Sequence, residues 1–333
     1  MKKIFYIAAA AAALVLAGCQ KENGGKAVVD CEKTLVTLHL EGGATKATGI
    51  SAANEAKFSS VQFFVFDEAG KIEDYKAETG KSTTSLSALA GTKTFVAVLN
   101  AKDDLSDAET LTQLNAKVTY LKDNALDHFV MVGTKSQAIS GATTDVTLNV
   151  HRQVAKIQIN KITTAFESAA LKAASFSVDR FYIINAAGDC KIGGTGTPSL
   201  WYNEAGYHNG TASPLDAADA LIVDNVTVDL TGNQSNSTPH VFYVYPNNFA
   251  AHNTVLEIGV KINGSADYYC IDFSAKGVTA IEANKTYTVN ELVIKHRGND
   301  HDGDGVIDGS ASFDCTISID DWDTGLAPYT ETL

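Results

Sequence analysis

The chain predicts a mainly all-β protein: two tandem β-sandwiches carrying small helical insertions. Three observations lead there. Most of the 333 residues read as short β-branched and aromatic runs separated by turn residues, the spacing that sandwiches produce. Apolar residues make up 45%, enough for packed cores, and the length suits two domains of ordinary size. Helical spacing is rare: it is convincing only over roughly 104–121, where Leu105, Ala108, Leu111, Leu114 and Val118 recur, with a shorter candidate at 164–174.

In chain order, the first element is an export signal. Two lysines, an apolar run from Ile4 to Val15 and small residues precede Cys19, and the run is too short to cross a bilayer comfortably. Leu16-Ala17-Gly18-Cys19 has the form of a lipoprotein box, so residues 1–18 are expected to be removed and the Cys19 thiol to take a diacylglycerol. Gln20 gives no signal for inner-membrane retention, which favours the outer membrane or cell surface.

Next comes a strand over 34–40. Thr34, Val36, Leu38 and Leu40 share one face, and Leu35, Thr37 and His39 share the other. A small-residue loop, GGATKATG, an easily cleaved kind of segment, separates it from the first core strand. Further strands are expected at 61–66, 94–100, 128–133, 145–150, 154–162 and 175–185, with a hairpin turn over Glu68 to Lys71. Later ones fall at 226–230, 240–246, 254–262, 267–273, 285–295 and 312–320. The break between the sandwiches is placed near HRQVAKI, giving domains 47–152 and 153–298.

The C-terminal region, 299–333, reads as an acidic linker followed by one more strand. Phe313, Cys315, Ile317 and Ile319 face one way, while Asp314, Thr316, Ser318 and Asp320 face the other. This second apolar strand is expected to lie outside the main body. Within NDHDGDGVIDG, Asp300, Asp302, Asp304 and Asp308 stand at positions 1, 3, 5 and 9 of a calcium-loop register. Position 12 is Ala311, so the bidentate glutamate is missing. A linker extended by self-repulsion is the favoured reading, and a weak calcium site is the alternative.

Composition excludes several functions. The formal charge of −13 argues against a nucleic-acid partner. The five cysteines form no CxxC pair, so a zinc site is not expected; Cys31, Cys190, Cys270 and Cys315 are left either for disulfides or as buried thiols. There is no GxSxG elbow, HExxH or P-loop, and GGTG at 193–196 sits in a polar loop, so the expectation is a protein that is not an enzyme and needs no cofactor. The loop 199–210 places Trp201, Tyr202 and Tyr207 among polar residues, where they either bind a sugar or partner or, more simply, cap a sandwich edge.

Seven features in this order carry a resemblance: the lipobox, FFVFDEAGK, VAVLNA, HRQVAKIQI, FYVYPNN, ANKTYTVNELVIK and the final CTISIDDW. Together they resemble the Bacteroidales fimbrillin family, the major-fimbrium type of lipoprotein pilin (type V), over most of the chain from Cys19 onward. The resemblance implies transthyretin-like sandwiches and a structural subunit of a cell-surface fimbria that supports adhesion and biofilm formation. It also implies lipidation, transfer to the outer surface, and cutting by a trypsin-like surface protease in the loop after the first strand. Residues 19–46 would then be a lipidated propeptide. The best-known family members are cut after arginine, whereas Lys46, followed by Ala47, stands at the matching place here, so a lysine-tolerant protease is required. Partners implied are other copies of the chain and other fimbrial subunits, with Phe313, Cys315, Ile317 and Ile319 on the donor strand that fills a neighbour's groove. The alternative is a monomeric, tip or anchor lipoprotein that binds a host glycan or protein.

Overall fold

The computed structural model describes residues 33–42, 52–143, 145–194, 196–204, 219–298, 313–322 and 327–328. It is dominated by strands. Those before residue 153 are β1 Thr34–Gly42, β2 Lys57–Phe58, β3 Ser60–Phe66, β4 Ile72–Thr79, β5 Thr83–Ala88, β6 Gly91–Leu99, β7 Val118–Tyr120, β8 Met131–Ile139 and β9 Asp145–Arg152. Two short helices, α1 Ala52–Glu55 and α2 Leu111–Ala116, lie among them.

Seven of these strands form one sheet in the order β4-β3-β6-β8-β9-β1-β5. Its inner face buries Val36, Leu38, Val61, Phe63, Val65, Leu86, Phe95, Ala97, Val146 and Leu148, every other residue of successive strands, as a period-two pattern requires. β3 and β6 are buried on both faces. Phe64, Phe66, Val96 and Val98 point outward and are covered by Leu105, Ala108 and Leu114 of the following segment. The turn after β3 forms where expected: Gly70 takes φ +77, and the Asp67 amide donates to the Lys71 carbonyl at 2.8 Å.

That covering segment corrects the helix expected over 104–121. Leu105, Ala108 and Leu114 do bury on one side, so the apolar spacing was real. Yet only Leu111–Ala116 is α-helical. Thr110 and Gln113 form a capping box that starts the helix, and Lys117 leaves it with extended backbone. β-Branched Val118 and Thr119 then pair with a distant strand, and tertiary pairing overrides the local pattern.

The strands from 155 onward belong mostly to a second sandwich, although the short strands at 189–191 and 327–328 pair instead with β7 and β2. They are β10 Ala155–Ile159, β11 Ile162–Thr164, β12 Phe176–Ile184, β13 Ala186–Ala187, β14 Asp189–Lys191, β15 Trp201–Tyr202, β16 Val223–Asp229, β17 Ser235–Asn236 and β18 His240–Val244. There follow β19 Val255–Ile262, β20 Ser265–Asp272, β21 Lys285–Val289, β22 Leu292–Ile294, β23 Phe313–Asp314, β24 Ile317–Asp321 and β25 Ala327–Pro328, with helices α3 Ala169–Ala173 and α4 Asp219–Ile222. One layer is β16-β12-β19-β20. The other is made of β18-β10-β21-β24 and its continuation β17-β11-β22-β23. Between them lies a core rich in aromatics, including Phe166, Phe176, Phe181, Tyr269 and Tyr287. The candidate helix at 164–174 shortens to α3, capped by the Ser168 side chain, which accepts from the Leu171 amide.

The tail is not outside the body. β24 is the edge strand beside β21, antiparallel, with Tyr287 opposite Ile319 and Val289 opposite Ile317. Among the described cysteines, Cys190, Cys270 and Cys315 are free thiols, and burial pushes the first of them up to about 12.

Candidate functional site

The slot occupied by β1 is the first half of the site. β1 lies inside the seven-stranded sheet, parallel to β9 and antiparallel to β5. Its alternation explains the placement. Val36, Leu38 and Leu40 enter the core with exposures of 0, 0 and 7%, beside Leu86 and Ala88 of β5 and Val146, Leu148 and Val150 of β9. The opposite face meets solvent: Leu35 is exposed, Thr37 lies 3.4 Å from the Ser85 hydroxyl, and His39 Nε2 sits 2.9 Å from Asp145 Oδ1. At roughly 1.5–3 kcal/mol per buried aliphatic side chain, these three contribute on the order of 5–9 kcal/mol as an upper bound. Withdrawing β1 would therefore leave an apolar trough walled by two strands with unpaired backbone groups.

The tail is the second half. Cys315 and Ile317 pack, half-buried, on the edge of the second core, while Ile319 is 49% exposed. Much of its apolar face is thus unused in its own sheet. Its charges are placed at the rim. Asp321 accepts from Lys285 Nζ at 2.5 Å and Asp314 from Lys295 Nζ, and these ammonium groups hold both carboxyls below the ordinary aspartate value.

Beyond β24 the attachment changes character. Trp322 is 4% exposed. Its indole Nε1 donates to Glu55 Oε2 at 3.1 Å, and its amide donates to the Asn284 carbonyl at 2.9 Å. The ring lies 4.6 Å from the Arg152 guanidinium carbon, stacks on Tyr243 and meets Phe129 edge-on. Glu55 Oε1 accepts from Lys156 Nζ at 2.9 Å and from the Tyr243 hydroxyl at 2.6 Å, and Arg152 Nε donates to the Glu55 carbonyl at 2.7 Å. Burial, reinforced by the Glu55 carboxylate, pushes the Tyr243 hydroxyl far above the ordinary tyrosine range. Residues 327–328 then pair in parallel with β2. The tail thus runs from the second sandwich to α1 and β2, the first elements described after the loop that holds Lys46.

Of the residues singled out in the sequence, Cys315, Ile317 and Ile319 are placed as above, and Phe313 pairs through its backbone with Ile294. Cys19, Lys46, Ala47, Asp300, Asp302, Asp304 and Asp308 lie outside the described residues. Among the described residues no cluster of three or more histidines, cysteines or carboxylates could hold a metal ion, and no helix is long and apolar enough to cross a membrane. Trp201 is half-buried, its ring 4.9 Å from that of His252, and Tyr202 is buried; the two form β15, paired with Ala186 and Ala187 of β13, and Tyr207 lies outside the described residues. Sequence reasoning missed the Glu55, Lys156, Tyr243 and Trp322 cluster. An acidic residue at the end of a short apolar-polar segment carries no local signal of a partner 267 positions away.

Known proteins share this architecture. The family model for fimbrillin-A associated anchor proteins Mfa1 and Mfa2 matches residues 29–325. The major fimbrium subunit FimA type-2 of Porphyromonas gingivalis is 23% identical over 288 residues, which cover 79% of this chain and 73% of that protein. Among solved structures, a candidate cell adhesion protein from Bacteroides eggerthii superposes with a TM-score of 0.68 at 19% identity, over 88% of this chain and 97% of the other. A fimbrilin from Porphyromonas gingivalis superposes with a TM-score of 0.62 at 16% identity, over 88% and 98%.

Proposed function

Because the chain belongs to the family of fimbrillin-A associated anchor proteins Mfa1 and Mfa2, we propose that it is a subunit of a cell-surface fimbria assembled by strand exchange. The family and its structural neighbours are structural fimbrial proteins, and interaction with other fimbrial subunits follows from that membership. The finer steps are our reading. The precursor is exported as a lipoprotein through Cys19 and is held at the outer membrane. A trypsin-like surface protease then cuts between Lys46 and Ala47, freeing residues 19–46 with β1. The trough between β9 and β5 accepts the C-terminal strand of another copy, whose Phe313, Cys315, Ile317 and Ile319 replace Val36, Leu38 and Leu40 as the inward face. The division into domains 47–152 and 153–298, with an acidic linker and donor strand over 299–333, lets the tail leave one sandwich while both cores persist.

One observation carries this reading: the strand that precedes the cleavable loop is buried in mid-sheet, whereas the strand that would replace it is an edge strand with its apolar face half used. The full-length alternation of that tail favours a stalk subunit over a tip, since a tip has no further neighbour to complement. The family description favours an anchor reading instead, and filament length separates the two. The test is electron microscopy of protein cleaved at Lys46, compared with Ile317→Asp and with deletion from Ser310 onward. Wild-type filaments and none from either variant are expected. Filaments of normal length from either variant would show that the tail is not the donor, and equal polymerisation of the uncleaved precursor would show that β1 does not guard the trough.

A further inference from the structure

Withdrawal of β1 raises a problem that the sheet itself must solve. β5 and β9 would face each other across a gap one strand wide, each with a row of unpaired backbone groups. The shortest repair is for β5 to swing onto β9, which would close the trough before another chain arrives. β5 is only Thr83–Ala88, and it is not paired through its backbone with β4, its predecessor in the chain: β4 pairs with β3, and β5 with β1.

Side chains bridge β4 and β5 instead. In an antiparallel ladder alternate amides of β5 point away from β1. Asp74 Oδ2 accepts from the Ser87 amide at 2.7 Å, and Glu73 Oε2 accepts from the Leu89 amide at 3.1 Å. Glu78 Oε1 accepts from the Thr84 hydroxyl at 3.0 Å. These acceptors are themselves fixed. Glu73 Oε1 holds Lys93 Nζ at 2.5 Å, with both side chains under 10% exposed, and Glu78 binds Lys76 and Lys81 at 2.9 and 2.7 Å. Three carboxylates on one strand, each turned to its sequence neighbour, take the part a backbone ladder would otherwise play. Charge-assisted hydrogen bonds of this kind are shorter and stronger than neutral ones. They also act on the side of β5 that withdrawal of β1 leaves untouched.

We infer that Glu73, Asp74 and Glu78 are positioning residues that hold β5 away from β9 after β1 is removed, keeping the trough open for an incoming strand. The inference rests on the reading that β1 is removable. It concerns the receiving side alone and is independent of which strand is donated.

The experiment uses the full chain, cleaved at Lys46 and separated from the released fragment, with a labelled synthetic peptide of residues 34–42 as probe. The variants are Glu73→Gln with Asp74→Asn, and Asp74→Asn alone, which leaves the buried Glu73–Lys93 pair intact. Affinity for the peptide should fall at least tenfold in the double variant and less in the single one. Hydrogen exchange at the Thr84, Leu86 and Ala88 amides, which face the trough, should slow at least tenfold in the cleaved double variant relative to cleaved wild type as β5 pairs with β9, while matching wild type in the uncleaved chain, which also reports that the variant folds. Wild-type affinity in the cleaved double variant, or exchange at these three amides no slower than in cleaved wild type, would overturn the inference. A cleaved wild-type chain that cannot recapture the peptide would instead sink the removable-strand reading, and the inference with it.

Discussion

β1 and β24 are both short alternating strands, yet the protein attaches them in opposite ways. β1 has neighbours on both sides and sends three aliphatic side chains into the core. β24 has one neighbour, and its side chains are no more than half-buried until Trp322. A strand in mid-sheet leaves only when its covalent connection is cut and its burial is overcome. An edge strand can peel away with the chain intact. The difference shows that amino-acid pattern decides whether a segment can be a strand, while position in the sheet decides how firmly it is held.

The comparison is broken most strongly at the point where the tail ceases to be an edge. Glu55→Ala removes the buried carboxylate that Lys156, Tyr243 and Trp322 share. A loss of about 4 kcal/mol in unfolding free energy is expected, read by chemical denaturation, because the Lys156 ammonium is left buried without that partner. Trp322→Ala should cost about 3 kcal/mol by truncation of a buried aromatic. It should also raise hydrogen exchange across 317–321, while exchange in β1 stays unchanged. Unchanged exchange in both segments would mean that Trp322 does not hold the tail.

Leu38→Ala sharpens the other side of the comparison. It should destabilise the uncleaved chain by about 2.5 kcal/mol and leave the cleaved chain unaffected, since the altered residue departs with the fragment. Thermal melting of both forms checks this, and an equal shift in both would show that the strand stays bound after cutting. The smallest effect concerns the rim charges of β24. Asp314 and Asp321 have depressed folded-state values, so their contribution is complete above the ordinary aspartate value near ~3.9 and is lost as pH falls through the depressed one. Lys285 and Lys295 have raised values, so theirs is complete below the ordinary lysine value and is lost as pH rises through the raised one. Exchange of 317–321 should therefore be slowest between these limits and quicken at both extremes. All four groups face solvent, so added salt should mute the dependence.

The sequence made some of this legible and hid the rest for physical reasons. The period-two faces of 34–40 and the double-sided burial of SVQFFVF are local patterns that only a sheet interior satisfies. β4 and β5 escaped notice because IEDYKAET and TTSLSA are polar and small. β5 nonetheless carries the period-two signal in Leu86 and Ala88, both buried, set among serines and threonines that read as turn. The segment 104–121 misled because its leucines do cover an apolar surface, and covering a surface does not require a continuous helix. The Glu55 cluster could not be read at all. Its members come from α1, β9, β10, β18 and the tail, and only the fold assembles them.

The parallel alignment of β1 with β9 and its antiparallel alignment with β5 bear on mechanical strength. Backbone hydrogen bonds on both flanks of that slot lie across the strand axis. A chain segment seated there and pulled along its length is loaded in shear: the bonds on both sides resist together, and none can open until many do. Pulled from the edge position of β24, the same segment could unzip one bond at a time. Under the proposed exchange, one sequence of alternating residues would be a weak seam in its own subunit and a strong joint in the next, with geometry alone setting the rupture force.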